Sequence, residues 1–410
     1  MAIPVTDTKP LVQDFIAFDL DSEEDRSDDE VNPTPSTPAQ GGTQSQPSSR
    51  GKKRGAEEME ADGYSKKQRI AAESRETPWA VDVEWDNCPN AAEMLNQEVR
   101  AFVDYVTPTP EEHEVRMMIV EWITRTIVSE FPDAQVVPFG SFATRLYLPT
   151  GDIDLVVTSP TIQRTGDIKS ILYRLAYILR RSNITDNVEV LAKTKVPIVK
   201  FVTSHGRFPV DISINQANGI SAVAIVNQFM EELPALRPLV LVVKSFLHQR
   251  SMNEVFTGGL GSYSITCLVT SFLQMHPKIR RCAIDPMKNL GVLLVEFFET
   301  YGRFFHYETV GISLRNGGHY FRKQSRGWGN PSAPGLLTIE DPQDPMNDVS
   351  GGSYGFMRVR HTLQGAFEVL SAELCLRGSA LLDRLPSAKS ASGMSILGKI
   401  MGVTHEVHSV

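Results

Sequence analysis

The chain has 410 residues, 41% hydrophobic and 22% charged, which leaves room for more than one domain and fits an ordinary soluble globular protein with tails. A net charge of −8 argues against a protein that coats nucleic acid by bulk charge, although the sum hides any local basic groove. No apolar run reaches the roughly 18 residues of a membrane span, and Cys88, Cys267, Cys282 and Cys375 stand singly without a CxxC pair, against a disulfide framework or a zinc site.

The first twenty residues carry acids where a secretory signal carries bases and an apolar core, so an intracellular protein is expected. Residues 20 to 76 are acidic, then rich in Pro, Ser, Gln and Gly, then mixed in charge. So little apolar surface does not offset the entropy of ordering, and disorder is expected over 1–76. Two basic clusters lie inside it, Lys52–Lys53–Arg54 and Lys66–Lys67–Gln68–Arg69. They read either as nuclear import signals or as solvated charge runs.

Order is expected from Thr77. NAAEMLNQEVRAFVDYV and PTPEEHEVRMMIVEWITRTIVSEF carry apolar residues at helical spacing behind helix-starting Asn, Pro and Glu. Strand-like pieces follow in AQVVPF, IDLVV, NVEVLA, PIVKFV and VDISIN, interleaved with a helix at DIKSILYRLAYILRRS. From Asn218 onward the pattern turns mostly helical. The class predicted is α+β: a mixed-sheet domain over 115–232, and a helical domain over 233–380 to which a helical segment at 77–114 belongs. Residues 381–410 form a tail whose SASGMSILGKIMG stretch reads as a short helix or as disorder.

The chemistry concentrates in VVPFGSFATRLYLPTGDIDLVV. Asp152 and Asp154 stand two apart at the head of a strand and therefore share one face. Like charges so close repel, and burying them unpaired is costly, so a positive group is expected between them. Upstream, Gly140 allows a close backbone approach and Ser141 adds a hydroxyl donor, as a phosphate cradle requires. Carboxylates beside such a cradle suit a hard divalent cation, Mg²⁺ above all and Mn²⁺ second, bridging protein to triphosphate. Asp211 offers the third acid: it alternates with Val210, Ile212 and Ile214, and its distance from Asp154 (211 − 154 = 57) admits a crossover and a neighbouring strand. Three carboxylates would hold two metal ions.

FGSFATRLYLPTGDIDLVV resembles the signature of the DNA polymerase beta-like nucleotidyltransferases. GGLGSYSITCLVTSFLQMHP, NLGVLLVEFFETYGRFF and LTIEDPQDPMNDVSGGSYG narrow the resemblance to the nuclear poly(A) polymerases of the TRAMP RNA-surveillance complex, from Pro78 to Leu376. The resemblance implies a catalytic domain joined to a helical central domain, with ATP in the cleft between them. It implies metal-binding roles for Asp152, Asp154 and Asp211, and triphosphate contacts for Gly140, Ser141, Lys244 and Ser262. It further implies that Gly219 lines the nucleotide, that Tyr263 stacks on the base and that Asn347 reads the base edge. The partners implied are RNA 3′ ends, a zinc-knuckle RNA-binding protein, a DExH-box helicase and, indirectly, the nuclear exosome. The location implied is the nucleus or nucleolus.

Read by themselves, these residues leave alternatives open. Lys244 inside PLVLVVKSFL needs a partner or a route to water, met by a phosphate or by a snorkelling stem. Tyr263 suits a base stack or a core position, and Asn347 a base edge or a local cap. Two departures from the family stand out: Gly151 where Ser is common, and Ser350-Gly351 where many relatives carry Gly-Arg.

The expected activity is template-independent addition of AMP to RNA 3′ ends. Its rivals are a terminal uridylyltransferase, which tends to have His at Asn347, and a non-catalytic RNA- or protein-binding scaffold, which usually lacks one of the acids. The chain has no RRM-like aromatic motif, KH-type GxxG or zinc knuckle. Weak, salt-sensitive RNA binding is therefore expected of the isolated chain. Arg174, Arg180, Arg181 and Lys200 are candidates for a basic groove or for solvated faces.

Overall fold

A computed structural model describes residues 76–194, 196–382 and 390–403. The expected disorder and the basic clusters fall, apart from Glu76, outside these residues. Among the described residues the four cysteines are free thiols, and no helix is long and apolar enough to cross a membrane.

Two helices open the described chain, α1 (Ala91–Val106) and α2 (Pro110–Glu130). Each starts where a side chain takes up an orphan amide: Asn90 Oδ1 accepts from Glu93 N at 2.9 Å, and Thr109 Oγ1 accepts from Glu112 N at 3.1 Å. Then come β1 (Gln135–Pro138), the one-turn α3 (Gly140–Ala143), β2 (Ile153–Thr158), α4 (Pro160–Thr165) and α5 (Ile168–Arg181). Three strands follow, β3 (Val188–Leu191), β4 (Ile198–Val202) and β5 (Pro209–Ile214).

The five strands form one mixed sheet in the order β1-β2-β5-β4-β3, in which only β2 and β5 run parallel. Strand alternation divides its faces. Ile153, Leu155, Val157, Val199, Phe201, Val210 and Ile212 pack against Ile119 and Ile123 of α2 and Leu172, Leu175 and Leu179 of α5. The aspartates occupy the alternate positions, so they face away from that core.

The second core is helical. It gathers α1, α6 (Ala217–Glu232), α7 (Leu236–His248), α8 (Ser262–Met275), α10 (Leu290–Glu299) and α11 (Phe356–Leu382), with the short α9 (Pro277–Arg280) between. Val226 and Phe229 of α6 and Leu146 and Leu148 of the segment before β2 also belong to it, so this core grips the edge of the sheet domain.

A second sheet of three strands was not expected from the sequence: β6 (Val310–Ser313), β7 (His319–Arg322) and β8 (Ile339–Glu340), in the order β7-β6-β8. β8 has only two residues and Gly311 interrupts β6, so neither prints a period-2 pattern. Of the two readings of the C-terminal stretch, the short helix holds, as α12 (Ala391–Met394). Met394, Ile396, Leu397, Ile400 and Met401 are buried in the helical core. Glu98 of α1, itself fully buried, pins that segment by accepting from Ile396 N and Leu397 N, both at 2.8 Å, from Ser395 Oγ and from Trp79 Nε1 at 3.1 Å. Burial raises its carboxyl pKa and the four hydrogen bonds pull it back, so the net direction is upward.

Candidate active site

The strand register brings the acids together. Across the parallel pair, Ile153 stands opposite Val210 and Asp154 opposite Asp211. Asp152 precedes β2 in a turn closed by Gly151 N to Leu148 O at 2.7 Å. The turn is held from below by Arg116 of α2, which donates to Gly151 O at 2.9 Å and Pro149 O at 2.6 Å. Arg116 is 1% exposed, pairs with Glu112 at 3.1 Å and lies over the rings of Tyr147 and Phe208. Sequence reading missed it. The signal was a cation three and four residues before Ile119 and Val120, on the apolar face of its helix.

Gly140 has φ +62, a left-handed conformation, and a Cβ there would stand 2.5 Å from Asp154 Oδ2. Glycine is thus required twice, by the backbone and by the carboxylate. Asp154 is driven from its ordinary 3.8 up to about 7, first by burial and then by the charges of Asp211 and Asp152. Asp211 also stands high, chiefly through burial, with Lys200 working against the rise. One oxygen of Asp211, Oδ1, is buried with no hydrogen-bond partner, whereas its Oδ2 accepts from Lys200 Nζ at 3.2 Å. Lys200 also donates to Asp152 Oδ2 at 3.3 Å.

Two cavities adjoin here, and the acids line the second of them. One, of about 280 Å³, runs between the sheet domain and the helical core. Gly140, Ser141, Gly219, Lys244, Ser262 and Tyr263 line it, together with Phe139, Asp341 and Gln343. A Cβ at Gly219 would stand 2.7 Å from the Phe139 ring, so the small residue leaves room for that wall. The other cavity, of about 320 Å³, opens over Asp152, Asp154 and Asp211 and is bounded by His248, Asn253 and Glu254, with Phe256 at its mouth. Ser141, Lys244 and Ser262 belong to both.

Lys244 is 6% exposed and donates to Leu146 O at 2.9 Å. Burial lowers its pKa to about 8, against the pull of Asp154 and Asp152. The snorkelling alternative does not hold, because its ammonium ends inside the cleft. Burial raises the Tyr263 phenol well above its usual range, and its hydroxyl reaches Asp341 Oδ1 at 3.5 Å.

Asn347 lies outside both linings. It is exposed, and its amide donates to Asp341 Oδ2 at 2.9 Å, so it stands behind a residue that does line the nucleotide-sized cavity. Asp348 folds the same loop by accepting from Ile339 N, Ser350 N and Ser350 Oγ, and the buried Ser350 also donates to Leu337 O. Ser350 therefore closes this turn through Asp348.

The four candidate bases do not form one groove. Lys200 pairs with carboxylates on the cleft face, while Arg174, Arg180 and Arg181 sit on α5, across the sheet, where Arg174 pairs with Glu130.

This is the fold and cleft of a nucleotidyltransferase, with paired strand carboxylates facing a Gly-Ser turn. The central palm domain of mitochondrial-like poly(A) RNA polymerases matches residues 95–231, and the Cid1 family poly A polymerase domain matches residues 289–347. The poly(A) RNA polymerase CID14 of Cryptococcus neoformans var. neoformans is 50% identical over 85% of this chain and 46% of its own length. The solved polymerase core of TRAMP, an RNA surveillance complex, is 40% identical over 79% of this chain and 98% of that chain, with a TM-score of 0.71. The chain belongs to the Cid1 family of poly(A) RNA polymerases, in its TRAMP branch. It spans about half the length of the curated fungal relatives it matches. A Drosophila melanogaster relative, 37% identical over 72% of both chains, is described as inactive. Membership alone therefore does not carry activity, and the carboxylates must.

Proposed function

We propose that this chain is a template-independent RNA adenylyltransferase, which joins AMP from ATP to an RNA 3′-hydroxyl and releases pyrophosphate. The observation that carries the reading is the register of Asp154 opposite Asp211, with Asp152 beside them, lining a cavity that shares Ser141, Lys244 and Ser262 with the cleft between sheet and helices. ATP occupies the cavity between the five-stranded sheet domain and the helical core. The RNA 3′ end enters through the cavity over the carboxylates.

The chain's own residues bind and orient. Gly140 lets backbone approach the triphosphate, and Ser141, Ser262 and Lys244 contact its oxygens. Gly219 lines the nucleotide, Tyr263 stacks on the base, and Asn347 sets the base-reading edge through Asp341.

Among the described residues no group of three or more His, Cys, Asp or Glu stands ready-made as a metal cage, and Lys200 pairs with two of the acids. The donors nevertheless fit Mg²⁺ or Mn²⁺: hard oxygens, with Asp211 Oδ1 buried and unpartnered and Asp154 short of countercharge. Asp152, Asp154 and Asp211 would hold the ions, which when bound activate the 3′-hydroxyl and stabilise the leaving pyrophosphate.

The setting we propose is nuclear, with RNA contacts added by a zinc-knuckle protein and a DExH-box helicase, and with exosome decay or processing downstream. Extension of a labelled RNA with each nucleotide separately tests the reading. Preferential use of ATP supports it, preferential use of UTP indicates a uridylyltransferase, and no extension by folded protein with its partners indicates a scaffold.

A further inference from the structure

Lys200 points at the centre of the carboxylate group. It lies on β4 directly opposite Asp211, while its neighbours Val199 and Phe201 point into the core. Its Nζ stands 3.2 Å from Asp211 Oδ2 and 3.3 Å from Asp152 Oδ2. It therefore joins acids from two different elements that the reading above assigns to divalent metal.

An ammonium and a divalent ion do not share this place. Mg²⁺ draws oxygens to about 2.0–2.1 Å and admits no donor N–H between itself and them. Charges of +1 and +2 a few ångströms apart repel, and more strongly at a protein surface than in bulk water. The lysine has somewhere to go: its side chain is 43% exposed, on a flexible four-carbon stem.

We propose that Lys200 is a tethered counter-ion for the metal site. It holds Asp152 and Asp211 together in the metal-free enzyme and is displaced toward solvent by the arriving cation. Metal binding without nucleotide is then weakened by the two ion pairs it must break. A bound triphosphate offsets that cost by adding its own negative oxygens, so metal and nucleotide load together. Lys200 acts as a positioning residue, and the inference rests on the metal assignment made above.

The test is direct Mn²⁺ binding to nucleotide-free full chain, followed by electron paramagnetic resonance, for wild type, Lys200→Met and Lys200→Arg. Lys200→Met should bind Mn²⁺ on the order of tenfold more tightly, from the loss of two partly exposed ion pairs. Lys200→Arg should stay near wild type. Raising KCl to 0.5 M should narrow the ratio without abolishing it, because salt weakens partly exposed ion pairs. Metal-free Lys200→Met should also melt below wild type, with the gap closing at saturating Mn²⁺. Lys200→Gln replaces the Met variant should that fail to fold. Mn²⁺ binding by wild type with unchanged or weaker binding by Lys200→Met overturns the role of Lys200. No Mn²⁺ binding by any variant overturns the metal assignment itself, and this proposal with it.

Discussion

Replacing Asp154 by Asn removes the charge that this fold accommodates least. The carboxyl is raised from 3.8 to about 7. The native state therefore binds more protons than the unfolded state between those values. Asp154 contributes stability that is fully present below about pH 4 and is lost as pH rises through 7. Three pH units correspond to about 4 kcal/mol at most. Asp154 is only partly shielded from solvent, and the Asn amide has its own desolvation, so about 2 kcal/mol is the expected net gain at pH 8. For a chain of this size that is a rise of about 4 °C in Tm. Scanning calorimetry in chelator should show Asp154→Asn melting above wild type at pH 8 and level with it at pH 4. Adding Mg²⁺ should raise the wild type and leave the variant unmoved. A variant that melts at or below wild type at pH 8, or gains equally at both pH values, would refute the reasoning.

Asn347→His exchanges an amide that donates to Asp341 for a ring with one donor and one acceptor on different sides, and should move preference from ATP toward UTP. Single-turnover incorporation of each nucleotide checks this, and unchanged discrimination would show that Asn347 does not act on the base. Glu98→Ala leaves Trp79 Nε1, Ser395 Oγ and two backbone amides without their acceptor. It should cost about 3 kcal/mol or more and lower Tm by about 6 °C. Limited proteolysis should then cut within 390–403, and an unchanged pattern would show that Glu98 does not hold that segment.

The central site was legible because strand periodicity does most of the work. Two aspartates spaced by two, and a third alternating with Val210, Ile212 and Ile214, had to share faces, and the parallel pairing of β2 with β5 made the faces one. What stayed hidden depends on partners distant in sequence. Lys200 looked like a base for phosphates until β4 placed it opposite Asp211. Arg116 drew no notice because its partners, Pro149 O and Gly151 O, lie more than thirty positions away. SILGKIM shows no usable period, and its order comes from burial in the helical core and from a carboxylate about 300 positions away. Asn347 was found as a motif residue, but nothing local shows that Asp341 intervenes between it and the cavity.

The most direct measurement of the central claim is single-turnover AMP addition to a labelled RNA by wild type and by an Asp152→Ala/Asp154→Ala variant, at equal folded fraction and with saturating Mg²⁺ and ATP. The account predicts extension by wild type with ATP preferred, and a double variant that melts normally yet adds nothing. Substantial extension by the folded double variant would contradict it.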